Sequence, residues 1–229
     1  MLMQNEIVST SGNYTTVITL FNLPTASNSV LLFIPGGTTK FVYNRSFVPL
    51  WLEMGTNVAV FNHTANFDNT GMPARFRLSD HRLLMLNSAI SELRNRYKTV
   101  YVIGHSFGAI EAAAIASTNA ASKVVISNGT WLEDKTNNLL FRNACIKRLS
   151  PVVPLLILHH LNDKTELCPY YKAKEHMGLY DHITVDGGFP HMGNPGSDPG
   201  PHFYTGQEYP VFKEVFNWLN DKTYRNFID

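Results

Sequence analysis

Long apolar runs are missing from the chain. No stretch of about 18 or more apolar residues occurs, the length from which a membrane-crossing helix is read. The start, MLMQNEIVSTSGNY, has no basic segment followed by an apolar one, so no secretory signal is expected. The compartment read from this is the cytoplasm, with an exported form that has lost its signal as the alternative. Cysteine is scarce. Cys145 and Cys168 alone make no disulfide scaffold and are read as free thiols, a single bridge being the alternative in an exported protein. Neither sign of charge dominates, since 19 Lys+Arg against 18 Asp+Glu give 19 − 18 = +1 with nine His neutral. Nucleic-acid binding draws on a basic excess that is absent here. Neither HExxH nor a Cys/His set at zinc spacing is present, so neither a metal nor a cofactor is expected. His159 and His160 are adjacent in an extended run, which turns their side chains to opposite faces.

What is present suits one folded domain over residues 1–229. Hydrophobic residues make up 44% and aromatics 12% of the 229, enough for a large core and too many for a disordered chain. Apolar runs at 6–9 and 14–21 flank Ser11-Gly12-Asn13 and read as a hairpin. Further runs lie at 30–34, 57–62, 99–103, 123–127, 153–159 and 182–186. The middle ones are continuous in Val, Ile and Leu, as in strands covered on both faces. Helical candidates lie between and after them, at 46–54, 79–97, 107–119, 133–148, 169–177 and 209–220. Ser79 is placed to cap its helix, with Asp80 in the first turn, and Pro169 suits a first turn. Leu83, Leu84, Leu86, Ile90, Leu93 and Tyr97 form the expected core-facing stripe. A hairpin followed by alternating strands and helices implies an α/β fold with a mostly parallel sheet. Ligands of such sheets sit beyond the carboxyl ends of the strands.

The residues after the strands carry the chemistry. Run 99–103 leads into Gly104-His105-Ser106-Phe107-Gly108 and then AIEAAAIA. This is G-x-S-x-G between a strand and a helix, the pattern of a nucleophile elbow. The glycines let helix and strand approach, and Ser106 then projects beside a helix N-terminus that favours negative charge. A serine needs a base, and the base an orienting acid, in the chain order Ser, Asp/Glu, His. Asp163 follows run 153–159 and is the expected acid. Asp186, before Gly187-Gly188, reads as a turn residue. His202, a short loop before the last helix, is preferred as base over His191. One oxyanion donor is expected from Phe107 N–H. The other should come from the loop Pro35-Gly36-Gly37-Thr38, where Gly37 and Thr38 both qualify.

These segments, FIPGG at 33–37, GHSFG at 104–108, HHLND at 159–163 and HFYTGQE at 202–208, resemble the α/β-hydrolase superfamily. The resemblance spans nearly the whole chain and is strongest to a group of small bacterial serine hydrolases. It implies an eight-stranded, mostly parallel sheet with an antiparallel N-terminal hairpin, helices on both faces and a minimal cap within 127–152. It also implies a catalytic triad of Ser106, Asp163 and His202, with Gly37 and Phe107 forming the oxyanion hole. The expected activity is hydrolysis of small or medium acyl carboxylic esters, the partner being a small-molecule ester. An amidase, peptidase or acyltransferase with the same triad is the first alternative, and a non-catalytic binding protein on the same fold is the second. Absence of a large cap suggests a small open pocket, with Trp51, Phe107, Trp131 and Phe189 as candidates to line it and core packing preferred for Trp51.

Overall fold

The computed structural model describes residues 3–25, 27–37, 47–67, 72–133, 144–188 and 200–229. Strands β1 (Met3–Ser11) and β2 (Tyr14–Asn22) pair antiparallel around a turn in which Gly12 has φ +58°. Then follow β3 (Ser29–Ile34), α1 (Phe47–Glu53), β4 (Asn57–Thr64), α2 (Asp80–Arg96), β5 (Thr99–His105), α3 (Gly108–Ala116) and β6 (Lys123–Ser127). The chain continues through β7 (Leu155–His160), α4 (Tyr170–Met177), β8 (Asp181–Val185), α5 (Glu208–Leu219) and β9 (Phe227–Ile228). The sheet order is β1-β2-β4-β3-β5-β6-β7-β8-β9, parallel from β4 onward. The hairpin, the parallel centre and the strand–helix alternation are those expected. The sheet has nine strands where eight were expected: β9 is two residues long, too short to show any period.

Alternation along the strands divides the core in two. Val30, Leu32 and Ile34 of β3 pack with α2, α3 and α4, while Leu31 and Phe33 pack with α1 and α5. Trp51 is fully buried in the second layer, among Phe47, Phe212 and Phe216. It is a core residue, the role preferred for it from the sequence. Ser79 caps α2 by accepting from Arg82 N at 3.3 Å. The buried face of α2 is Arg82, Met85, Leu86, Ala89, Ile90 and Leu93. Leu84 of the expected stripe is 60% exposed and Arg82 is fully buried. Most of the helix expected at 133–148 lies outside the described residues, and residues 144–148 are not helical.

Candidate active site

β5 ends at His105 and α3 begins at Gly108, so Ser106 sits in the turn between them. Its φ is +55°, in the left-handed region that a residue with a Cβ enters only under strain. Close packing enforces the turn. A Cβ on Gly104 would run into Gly108 O, and one on Gly108 into Ile34 O. The spacing of the two glycines is therefore a steric requirement of the turn. The loop after β3 lies against Ser106 as well, because a Cβ on Gly36 would stand 2.7 Å from Ser106 Cβ. Ser106 N donates to Ser127 O at 3.0 Å and fixes the turn to β6.

Asp163 and His202 meet although 39 residues separate them. His202 Nδ1 donates to Asp163 Oδ2 at 2.7 Å, and Thr165 N donates to Oδ1 at 2.9 Å. Burial acts to raise the Asp163 pKa, but His202, His159 and the Thr165 amide outweigh it and hold the carboxyl at about 2. With its Nδ1 proton committed to Asp163, a neutral His202 keeps Nε2 as an acceptor. Asp186, the competing carboxylate, instead accepts from Asn162 Nδ2 and Gly187 N at the surface.

Asn128, at the end of β6 with φ +39°, braces this pair. Its Oδ1 accepts from His160 N at 2.8 Å, and its Nδ2 donates to His202 O at 2.7 Å. It thus ties the strand leading to the acid to the turn carrying the histidine. His160 adds a second tie, since its Nδ1 accepts from Asn162 N and its Nε2 donates to Gly187 O. Below His202, Tyr204 OH donates to Leu158 O, Ser127 Oγ donates to Tyr204 OH, and His105 Nδ1 donates to Ser127 Oγ. The His105 ring packs 4.8 Å from that of His202. Asn128, Ser127 and Tyr204 were not singled out in the sequence. An Asn or Ser after a strand reads as a turn residue, and nothing local distinguishes a brace.

Ser106 reaches the same end of the sheet. Cys168 lies near Ser106, with its Sγ 3.7 Å from Thr130 Oγ1. Among the described residues, no hydrogen bond joins Ser106 to His202. Burial pushes the Cys168 thiol far up, so it stays protonated. Both cysteines are free.

Ser106, His105, Phe33, Pro35, Gly36, Gly37 and Phe203 line a cavity of about 20 Å³, room for one water. This is tighter than the open pocket expected. A larger cavity of about 790 Å³ has Trp131, Cys145, Ile146, Leu167 and His176 in its wall, without Ser106. Part of its lining, Trp131, Cys145 and Ile146 included, flanks 134–143, which lie outside the described residues. Thr38, Phe189 and His191 also lie outside them. No group of three or more His, Cys, Asp or Glu that could hold a metal occurs among the described residues. Among them, too, no helix is long and apolar enough to cross a membrane.

The comparisons with solved structures place this architecture. Est1E from Butyrivibrio proteoclasticus superposes with a TM-score of 0.67 at 13% identity, covering 94% of this chain and 98% of its own. MGS-M1, an alpha/beta hydrolase enzyme from a Medee basin deep-sea metagenome library, gives 0.64 at 14%, covering 95% and 97%. The acylaminoacyl peptidase of Pyrococcus horikoshii gives 0.65 at 14%, covering 98% of this chain and 42% of its own. The chain therefore has the α/β-hydrolase fold. No protein-family model matches it, and no curated protein matches it by sequence.

Proposed function

We propose that the protein is a serine hydrolase that cleaves carboxylic esters of small or medium acyl groups. The observation that carries this reading is the strained Ser106 turn facing the end of the sheet where Asp163 and His202 are paired. Strain of this kind persists where a side chain must be presented in one orientation. Ser106 Oγ attacks the ester carbonyl as His202 Nε2 takes its proton, and the carbonyl oxygen becomes an oxyanion. The Phe107 and Gly37 amides receive that charge. The C–O bond to the alcohol then breaks, with the proton passing from His202 to the departing oxygen. Water repeats the sequence on the acyl-enzyme, releasing the acid and restoring Ser106. Asp163, ionised at any pH above about 2, holds the imidazole in the required tautomer. Catalytic hydrogen bonds often tighten only once substrate is bound, and the Ser106–His202 bond is expected to form at that stage.

The names of the structural neighbours support hydrolytic chemistry on this fold. One is an acylaminoacyl peptidase, which makes amide cleavage by the same triad the second reading. A fluorophosphonate probe tests the serine. Labelling is expected in the wild type and lost in Ser106→Ala; a folded wild type that is not labelled counts against the reading. Esters of graded acyl length, run beside the matching amides, then separate the two substrate classes.

A further inference from the structure

The most deeply buried charges lie outside the triad. Arg77, Arg82 and Glu111 are 1%, 0% and 0% exposed. Burying an ion this far is strongly unfavourable unless it is paired. Glu111 pairs with both arginines, its Oε1 accepting from Arg82 Nε at 2.7 Å and its Oε2 from Arg77 Nη1. Arg82 spends its remaining contacts on the sheet, donating to Thr16, Thr64 and the Asn62 carbonyl and stacking over Phe61. Arg77 does something else. Its Nη1 donates to Pro35 O at 3.1 Å and its Nη2 to Gly36 O at 2.6 Å. His63 Nε2 stands 2.8 Å from the same Gly36 oxygen. Burial, then Arg77, lower the His63 pKa to about 4, so the ring is neutral near pH 7 and donates through Nε2–H.

Two successive carbonyls of the loop after β3 are thus held from one side, the second by two donors. In a trans peptide the N–H points opposite to the C=O, and the described chain contains no cis bond. With the Gly36 carbonyl turned to Arg77 and His63, the Gly37 N–H turns the other way. Gly37 lines the cavity it shares with Ser106. A Gly-Gly peptide is the easiest of all to flip, and a flipped one would aim a carbonyl at the oxyanion. Glu111 belongs to α3, the helix that begins just after Phe107. The path Gly36–Arg77–Glu111 therefore joins the two halves of the proposed oxyanion hole.

We propose that Arg77, assisted by His63, is a positioning residue that locks the Gly36–Gly37 peptide so that Gly37 N–H faces the developing oxyanion. This rests on the serine-hydrolase reading above. The test measures ester kinetics, Ser106 labelling, melting temperature and inhibition by an aryl trifluoromethyl ketone for wild type, Arg77→Met, Arg77→Lys and His63→Phe. Losing one oxyanion donor lowers kcat about 100-fold or more. Arg77→Met should lose about that much kcat, with KM within about threefold and the ketone Ki rising in step with the loss. Arg77→Lys, which keeps the charge beside Glu111, should recover part of it. His63→Phe leaves the ion pairs intact and should lose about tenfold in kcat with a matching rise in ketone Ki, so it carries the test if Arg77→Met does not fold. Active, labelled wild type with folded variants of unchanged kcat and ketone Ki would overturn this proposal alone. Wild type that neither labels nor turns over esters would overturn the hydrolase reading and the clamp together.

Discussion

At the scale of single residues, the site is built from side chains forced into unusual conditions. Ser106 is held at positive φ by two glycines whose hydrogens leave no room for a methyl group. That requirement is visible in the sequence because it falls within five residues. Cys168 shows the opposite case. No local pattern marks it, yet it lies near Ser106, since 62 residues of chain return it to the same strand end. Its burial has a direct consequence. Titration of the native protein with a thiol reagent near pH 8 should leave Cys168 silent, while the partly buried Cys145 reacts slowly. Both should react once denaturant is added. Rapid reaction of two thiols in the native state would contradict the packing around Ser106.

At the scale of elements, the strands and helices were legible where their period is long enough to repeat. The central strands and α2, α3, α4 and α5 fall within a few residues of their expected positions. The stripe expected on α2 holds at Leu86, Ile90 and Leu93 and fails at Leu84, which is exposed while Arg82 is buried, because sequence pattern assumes that charge faces water. Arg82 is inside because Glu111, on another helix, neutralises it. That pairing has no sequence signature. Asn128 is a similar case, joining the ends of β6 and β7 to the turn that carries His202. Asn128→Ala removes both bonds and should lower kcat by about 10- to 100-fold through misplacement of the imidazole. Asn128→Asp, which accepts from His160 N but cannot donate to His202 O, should fall as far. Steady-state ester kinetics on both variants measure this, and wild-type turnover in either would remove Asn128 from the positioning network.

At the scale of the whole molecule, buried imidazoles set the response to acid. Burial holds His159 and His63 at about 4, and His105 well below its ordinary value of 6.5. Between pH 6.5 and 4 an unfolded chain takes up protons that the folded one refuses, so stability falls as pH falls through that window. The contribution is on the order of 2–3 kcal/mol for each of His159 and His63. Asp163 acts lower down. Its pKa of about 2, against 3.8 unperturbed, gives stability that is present above 3.8 and lost as pH falls through about 2. Melting temperature should therefore drop steeply between pH 6.5 and 4, and His159→Gln should flatten the drop. A wild-type profile level across that range would show that these rings are not buried as neutral groups.

The order of the strands has one more consequence. Gly37, Ser106, Asp163 and His202 follow β3, β5, β7 and β8, and each parallel neighbour is reached only through a crossover. No short fragment of the chain contains the whole constellation, since Gly37 and His202 stand 202 − 37 = 165 positions apart, and its contacts join residues far apart in sequence. Such long-range closure is the slow part of folding. Helices can form early on their own local contacts, whereas the imidazole finds its carboxylate only after β7 has docked and the chain beyond β8 has come back across the sheet. A nascent or partly refolded molecule is thus without the assembled site until folding is nearly complete.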